Sequence, residues 1–397
     1  MDAPQRSALH QQYVSQFTPE AYERFLHDIH PEFQPEIDFR IAETPVFVDQ
    51  ELKASVYRMF EDIRDHLVAP GFLQKMDASI PAHLKVPNEA SKPTFVCIDL
   101  AVCQDEATGQ LIPQLIEMQG VASLYCYQHR LCQAYKRHLP VPQHLTPYWD
   151  GVTEDNYLSI LKKEIIGDED PEQVVIMDIQ PMRQKTRIDF MYTQQDLGIR
   201  AVCITDITQD GRYLYYVKDG KKIPIRKIYN RVIFDELERK QSMLDIRFNL
   251  FDDLNVTWMS HPNWFFKISK YTMPFIDSPY VPKTYFVHEL VKYPDDLENY
   301  VLKPLYSFAG AGVKYDVTRD DVEAVAGRED YILQKKVQYV PFVDTPDIPA
   351  KVEIRLLCLW GNELRPLMNL ARLSKGKIMG VDFNKDKTWV GSSAVFF

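Results

Sequence analysis

The chemistry-bearing residues fall into two groups separated by most of the chain. In the second half, Lys303-Pro304 runs into Tyr306-Ser307-Phe308-Ala309-Gly310-Ala311-Gly312. Small residues let a backbone fold closely around oxyanions and aim successive N–H groups at them. A lysine ahead of such a loop supplies a point cation for phosphate. The order differs from GxxxxGK[ST], because here the lysine precedes the glycines. A hairpin or tight turn is the plainer alternative for 306–312, with Ser307, Gly310 and Gly312 as its small residues. Lys270, in WFFKISKYTMPFI, reads by itself as a solvated helix-face residue. The run YILQKKV at 331–337 predicts a strand that enters a hinge. The backbone around Gln334, Lys335, Lys336 and Val337 is suited there to an adenine edge.

The acidic group lies far upstream. Asp99 belongs to FVCID, and Glu117 and Gln119 to LIEMQG. Strand period puts Glu117 and Gln119 on one face. Carboxylates and an amide carbonyl are hard oxygen ligands, suited to Mg²⁺ shared with phosphates. The plainer alternative is a solvated sheet face, but both carboxylates sit inside apolar runs, where an unpaired charge is costly. Near the C-terminus, Glu353 and Arg355 in KVEIRLLCLW and Arg372 in NLARLSKG add buried charge. An arginine inside a strand needs an anionic partner, and a phosphate or a substrate carboxylate is one.

The elements that must position these residues follow from the pattern. Gln50–Leu67 has helical spacing. Residues 93–103 and 111–120 read as two strands around a turn at Thr108-Gly109, and 121–139 as a helix closed by Pro140. VVIMDI at 174–179, a helix over 183–197 ended by Gly198, and AVCITDI at 201–207 form a βαβ signature with parallel strands. IYNRVIF at 228–234 predicts one more strand. Beyond 264, TYFVHEL, YVLKPL, YILQKKV and EIRLLCLW predict further strands. The aromatic, glycine-containing tail GVDFNKDKTWVGSSAVFF is expected to pack into the fold rather than fray.

The bulk properties bound the function. The chain has 397 residues, 45% of them hydrophobic, which is ample for a core and for two or three structural units. Its 46 basic and 56 acidic residues leave a net charge of −10. That field opposes non-specific binding to nucleic acid or to an anionic membrane, while leaving room for a local basic pocket. The six cysteines include no tight CxxC pair, so neither a zinc knuckle nor a redox motif is expected. The N-terminus lacks the order of a secretory signal, and no apolar run reaches roughly 18 residues. A cytoplasmic location is therefore expected.

Taken with their order, ISKYTMPFI with VPKTYFV, YVLKPLYSFAGAGV, YILQKKV, and the EIR and ARLSKG pair resemble the ATP-grasp superfamily. The resemblance is to its circularly permuted branch of glutathionylspermidine-synthase-like ligases. It implies an α/β, circularly permuted ATP-grasp fold with a Rossmann-like pre-grasp domain. The implied division is 1–150 for the segment completing the core, with the metal-ligand hairpin at 93–120. Residues 151–262 would form the pre-grasp domain, and 263–397 the ATP-binding lid and remaining core. Lys270 and Lys303 become nucleotide-facing lysines, 306–312 the phosphate cover and 334–337 the adenine hinge. The usual metal-binding Asp and Glu-x-Asn do not follow Arg372. Asp99 and Glu117 take the metal positions from the front of the chain, and Gln119 takes that of Asn. Glu353 is either a third ligand or the partner of Arg355.

The activity implied is ADP-forming ligation of a small-molecule or peptide-like carboxylate to an amine or thiol, with ATP and Mg²⁺, through an acylphosphate. Arg355 and Arg372 would act on the γ-phosphate or the substrate carboxylate, and no histidine stands out as a base. Phosphotransfer, or nucleotide binding without catalysis, are the alternatives.

Overall fold

The computed structural model describes residues 8–30, 37–105, 107–149, 151–307, 310–376, 379, 384 and 386–397. Phe308, Ala309 and much of the 377–385 stretch, to which the sequence reading assigned part of the phosphate cover and the tail, lie outside the described residues.

The chain starts with helices Ala8–Gln16 and Pro19–Ile29, strand β1 (Val46–Phe47) and helix Gln50–Val68. The hairpin β2 (Phe95–Gln104) and β3 (Leu111–Gln119) precedes helix Tyr125–His138. Helix Glu154–Ile165 leads into β4 (Val174–Asp178), helix Arg187–Leu197 and β5 (Arg200–Cys203). A meander of β6 (Thr208–Asp210), β7 (Tyr213–Lys218) and β8 (Lys221–Ile225) follows, then β9 (Lys227–Asn230), helix Phe234–Lys240 and β10 (Thr257–Met259). Next come β11 (Thr284–Phe286), β12 (Tyr300–Pro304) and β13 (Tyr331–Lys335). The last strands are β14 (Pro341–Val343), β15 (Ala350–Trp360), β16 (Leu364–Ser374) and β17 (Gly391–Phe396).

The two ends of the chain build one sheet. Its order is β1-β17-β16-β15-β2-β3, with β14 against the other edge of β15's start. The contact that joins front to back is β15 against β2, antiparallel over seven residue pairs from Glu353–Ala101 to Leu359–Phe95. Strand β2 is apolar almost throughout and buried over nine of its ten residues, because both faces of the sheet are covered. Val96, Ile98, Leu100 and Val102 face helix Gln50–Val68, whose Leu52, Val56, Met59, Phe60, Ile63 and Leu67 form its buried stripe. Asp49 caps that helix by accepting from Leu52 N at 2.8 Å. Phe95 and Cys97 face the opposite core, with Tyr125, Leu131 and Tyr135 of helix Tyr125–His138. By strand alternation Asp99 shares the Phe95/Cys97 face.

A second sheet, β10-β9-β4-β5, is parallel throughout. It contains the βαβ unit, with β4 beside β5 and helix Arg187–Leu197 between them. Gly198 closes that helix with φ +80°. The strand expected over 228–234 ends at Asn230. Arg231 turns away, and Phe234 opens a helix whose first turn carries Asp235 and Glu236. Similarly, the run at 201–207 is strand only to Cys203, and TYFVHEL only to Phe286, each then tightening into a 3₁₀ turn. A third sheet, β11-β13-β12, carries Lys303. All six cysteines are free thiols, five of them buried. Among the described residues, no helix is long and apolar enough to cross a membrane.

Candidate functional site

Strand register assembles the charged cluster. Arg355 lies opposite Asp99 across β15 and β2, and Asp99 lies opposite Glu117 across β2 and β3. Glu353 lies opposite Arg372, and Cys97 opposite Gln119. The β2–β3 ladder shifts beside this point: Asp99 pairs with Glu117 but Leu100 with Leu115, which leaves Ile116 as an extra residue. Such a bulge bends a strand and re-aims its side chains.

The contacts within the cluster are specific. Arg355 grips Asp99 with a fork, Nε to Oδ1 at 2.5 Å and Nη2 to Oδ2 at 2.6 Å. Arg372 pairs with Glu353, and its Nη2 lies 3.6 Å from Asp99 Oδ2. Tyr339 reaches Glu353 Oε2 at 3.4 Å. Gln119 Nε2 donates to Glu117 Oε1 at 2.9 Å and lies 3.4 Å from Asp99 Oδ2. Of the two alternatives for Glu353, neither the third ligand nor the Arg355 partner describes this arrangement: it partners Arg372, while Arg355 takes Asp99. The Asp99 side chain is fully buried, whereas Glu117 and Arg372 are 27% and 40% exposed, so these two present charge to solvent.

Both lysines close the cluster from the other side. Lys303 on β12 donates to Gln334 Oε1 and lies 3.5 Å from the carbonyl of the bulged Ile116. Lys270 opens a 3₁₀ turn over Lys270–Phe275, after Ser269 caps it by accepting from Tyr271 N. It is buried rather than solvated. Its Nζ meets Leu305 O at 3.3 Å, Ser307 O at 2.9 Å and Glu117 Oε2 at 4.0 Å. Burial lowers Lys303 to about 8, with Glu117 opposing and Lys270 reinforcing the shift. Burial also lowers Lys270, against the pull of Glu117 and Asp235. Glu117 shows the converse. Burial pushes it up, but Lys270, Lys303, Arg355 and Arg372 outweigh that and hold it below the usual carboxylate range.

These shifts carry a pH prediction. Lys303 loses its proton above about pH 8; if it contacts phosphate, as the resemblance implies, MgATP affinity should fall between pH 8 and 10. In Lys303→Arg, whose guanidinium keeps its charge, the fall should be smaller over that window, leaving only what Lys270 contributes. Calorimetric titrations across pH check it, and a flat wild-type profile removes Lys303 from the phosphate contact. For stability the sign is opposite. The folded value lies below the unfolded 10.5, so the unfolded chain binds more protons between about pH 8 and 10.5, and this lysine's contribution rises with pH through that window.

The remaining predicted residues are placed as follows. Ser307 sits where Lys270 holds the loop by its carbonyl, and Gly310 and Gly312 both have φ near +75° (76° and 73°), as close turns require. The loop is pinned at its base by paired backbone bonds between Leu302 and Lys314, at 3.0 and 2.9 Å. Gln334 is buried and turns its amide oxygen to Lys303, while its Nε2 has no partner. The N–H groups of Lys335 and Lys336 are engaged by Lys283 O and Asn299 O, both at 2.8 Å. Sequence reasoning missed Tyr315 and Tyr339. Tyr315 is raised by burial and by Glu117, with Arg372 opposing, which puts it beside the cluster. A tyrosine among 22 offers no signal in the sequence.

The end of β3 is locked to the segment that delivers Lys270. Gly120 N donates to Ile268 O at 2.9 Å. A Cβ on Gly120 would lie 2.4 Å from Trp264 O and 2.9 Å from Trp264 Cβ. Gly120→Ala is therefore expected to cost about 1–3 kcal/mol, from overpacking against backbone, read by chemical unfolding. An unchanged midpoint means that the two segments are not held together.

The fit of a divalent cation can be judged from the donors. Glu117 is held below the usual carboxylate range, partly exposed and flanked by the Gln119 amide, and hard oxygens of this kind suit Mg²⁺ shared with phosphates. Asp99 fits less well as a direct ligand, because Arg355 occupies both its oxygens. Among the described residues, no group of three or more His, Cys, Asp or Glu is arranged to hold a metal ion. An open cleft of about 660 Å³, lined by Arg64, Pro70, Lys92 and Trp360 among others, includes none of these residues. The charged cluster, rather than that cavity, marks the candidate site.

No protein-family model matches the chain, and no curated protein matches it. Among solved structures, the fold is similar to that of a glutathione synthetase-like effector from Globodera pallida in its apo form. The TM-score is 0.56 over 99% of each chain, at 10% sequence identity. At that identity the likeness concerns the fold alone: a mixed α/β architecture, shared end to end.

Proposed function

We propose that the chain is an ATP-dependent ligase that joins a carboxylate to an amine or a thiol through an acylphosphate, on a circularly permuted ATP-grasp frame. On this reading 1–150 and 263–397 build the nucleotide-binding core, and 151–262 is the Rossmann-like pre-grasp domain. One observation supports it above the others. Residues 256 positions apart, Asp99 and Arg355, meet in a forked ion pair beside Glu117, Lys270 and Lys303.

In this mechanism Lys270 and Lys303 hold the phosphates as point cations, and the turn at Gly310 and Gly312 would cover them. Both lysines are already buried, so their charge acts with little screening by water. Glu117, with Gln119, would hold Mg²⁺, whose chemistry is to neutralise charge on the transferring phosphoryl group. Asp99 positions Arg355, and Arg372, the more exposed guanidinium, faces the incoming carboxylate. Excluding water from this cleft protects the acylphosphate from hydrolysis.

The test is incubation with MgATP, candidate carboxylates and hydroxylamine, followed by mass spectrometry. ADP and a hydroxamate should appear only when a carboxylate is present. Phosphorylation of an alcohol acceptor points to a phosphotransferase instead. A second reading, nucleotide binding without turnover, is favoured by one feature: the Arg355 fork leaves Glu117 and Gln119 as the open donors. Tight MgATP binding with no product across the screen supports that reading.

A further inference from the structure

The four strands of the β10-β9-β4-β5 sheet all end on one edge. In open parallel sheets the carboxyl edge is where ligands bind, since the loops leaving it splay apart and expose backbone groups. Here three non-glycine residues at or beside that edge hold left-handed backbone. Gln180 follows β4 with φ +48°, Ser260 follows β10 with φ +57°, and Leu124 lies in the loop leaving β3 with φ +74°. Tyr229 of β9 ties that loop to the edge, its hydroxyl donating to Ala122 O at 3.2 Å. Strain of this kind persists where the surroundings enforce it, and it gathers at binding sites. Ser260 adds an independent sign. It is 1% exposed, and its hydroxyl has no hydrogen-bond partner. A buried polar group without a partner is costly and calls for a ligand or a water.

The charges at the edge indicate the ligand's chemistry. Asp178 ends β4, is buried, and accepts from Ile179 N at Oδ1, at 2.7 Å. The charged groups acting on it are Arg231, Glu236 and Lys240, and each cation also pairs with another carboxylate. Arg231 pairs with Asp189 at 2.7 Å, and Asp189 in turn accepts from Leu124 N and Tyr127 N at 2.9 and 3.1 Å. Lys240 pairs with Glu236 at 2.6 Å, and Gln184 donates to the same carboxylate at 3.1 Å. A buried carboxyl that shares its neighbouring cations with other carboxylates has acceptor capacity left for a cationic donor. Burial pushes Asp178 up to about 7, with Arg231 opposing, as befits a carboxylate that lacks a full counter-charge. The edge also lies near the nucleotide cluster. Asp235 acts on Lys270, and Arg231 acts on the Cys97 thiol together with Arg355.

We propose that the carboxyl edge of the parallel sheet is a subsite for a primary amine, with Asp178 binding its ammonium group. The amine's identity as the nucleophile rests on the ligase reading above, but the binding itself does not.

The probe is n-butylamine, added to the full chain without ATP and followed by ligand-observed saturation-transfer NMR, with n-butanol and butyrate as controls. Saturable binding of butylamine is expected in the wild type and in Lys303→Met. In Asp178→Asn, which keeps an acceptor for Ile179 N, affinity should fall at least about tenfold, the worth of a charge-assisted hydrogen bond. Wild-type affinity should also rise between pH 6 and 8 as Asp178 ionises, while butylamine stays protonated as a lysine does. That profile decides the matter if Asp178→Asn does not fold. Absence of saturable binding, equal affinity in a folded Asp178→Asn, a flat pH profile, or displacement by butyrate overturns the proposal. Loss of the ligase reading looks different: butylamine binds, but MgATP does not.

Discussion

On the proposed ligase reading, methionine at both Lys270 and Lys303 is expected to weaken MgATP binding in calorimetry by at least about a hundredfold. Each ammonium is buried and directed at oxygen atoms, so each is worth a charge-assisted contact to phosphate of about 1.5–3 kcal/mol. Two such contacts reach a hundredfold together even at the low end. Methionine keeps most of the stem volume, so packing survives while the charge goes. Glu117 loses its two largest attractive partners in the same change, and its carboxyl should rise toward or above the ordinary range. A folded double variant that binds MgATP as the wild type does removes the nucleotide site from this cluster.

Asp99→Ala is the second change with a large effect, and its effect is on stability. Asp99 is fully buried, and Arg355, almost as buried, depends on it for both hydrogen bonds of its fork. The Asp99 carboxylate holds the Arg355 guanidinium above its already high range, against the pull of burial. Removing one partner of such a pair leaves a buried charge uncompensated and costs about 3–5 kcal/mol. Replacing both partners, as Asp99→Leu with Arg355→Met, should recover most of that loss, because apolar groups of similar volume need no counter-charge. Urea unfolding of the three proteins without Mg²⁺ separates the cases. A cost below about 1 kcal/mol for Asp99→Ala means that the pair is not a structural anchor. If Asp99 bound metal directly, its removal in metal-free buffer would relieve repulsion from Glu117 instead.

The parts of the fold visible in the sequence were those with a strong local period. Gln50–Val68 and the two strands around Thr108-Gly109 lie within a few residues of where their patterns put them. The alternation V-V-I-M-D, helix, A-V-C gave the parallel unit, because buried parallel strands are continuous apolar runs. The reading failed where a turn outweighed β-propensity. Arg231 to Phe234 looks like strand by composition, yet it bends so that Arg231 meets Asp189 and Phe234 starts a helix. Lys270 looked solvated because its own segment says nothing of Leu305, Ser307 and Glu117, which close over it.

The sequence by itself determined which residue types were available and which of them had to be buried. Asp99, Glu353 and Arg355 stand inside apolar strands, and a buried charge must find a partner, so the need for pairing was legible without coordinates. Who pairs with whom was not. Antiparallel register decides it, and a one-residue slip of β15 on β2 would turn Arg355 to the opposite face from Asp99. Only the tertiary structure, by laying β15 against β2 and bulging β3 at Ile116, made Asp99 an anchor for arginine and left Glu117 as the partly exposed carboxylate of the cluster. The physical reason is that hydrophobic period is a property of neighbours along the chain, whereas the field at a site is the sum of charges brought together from far along it.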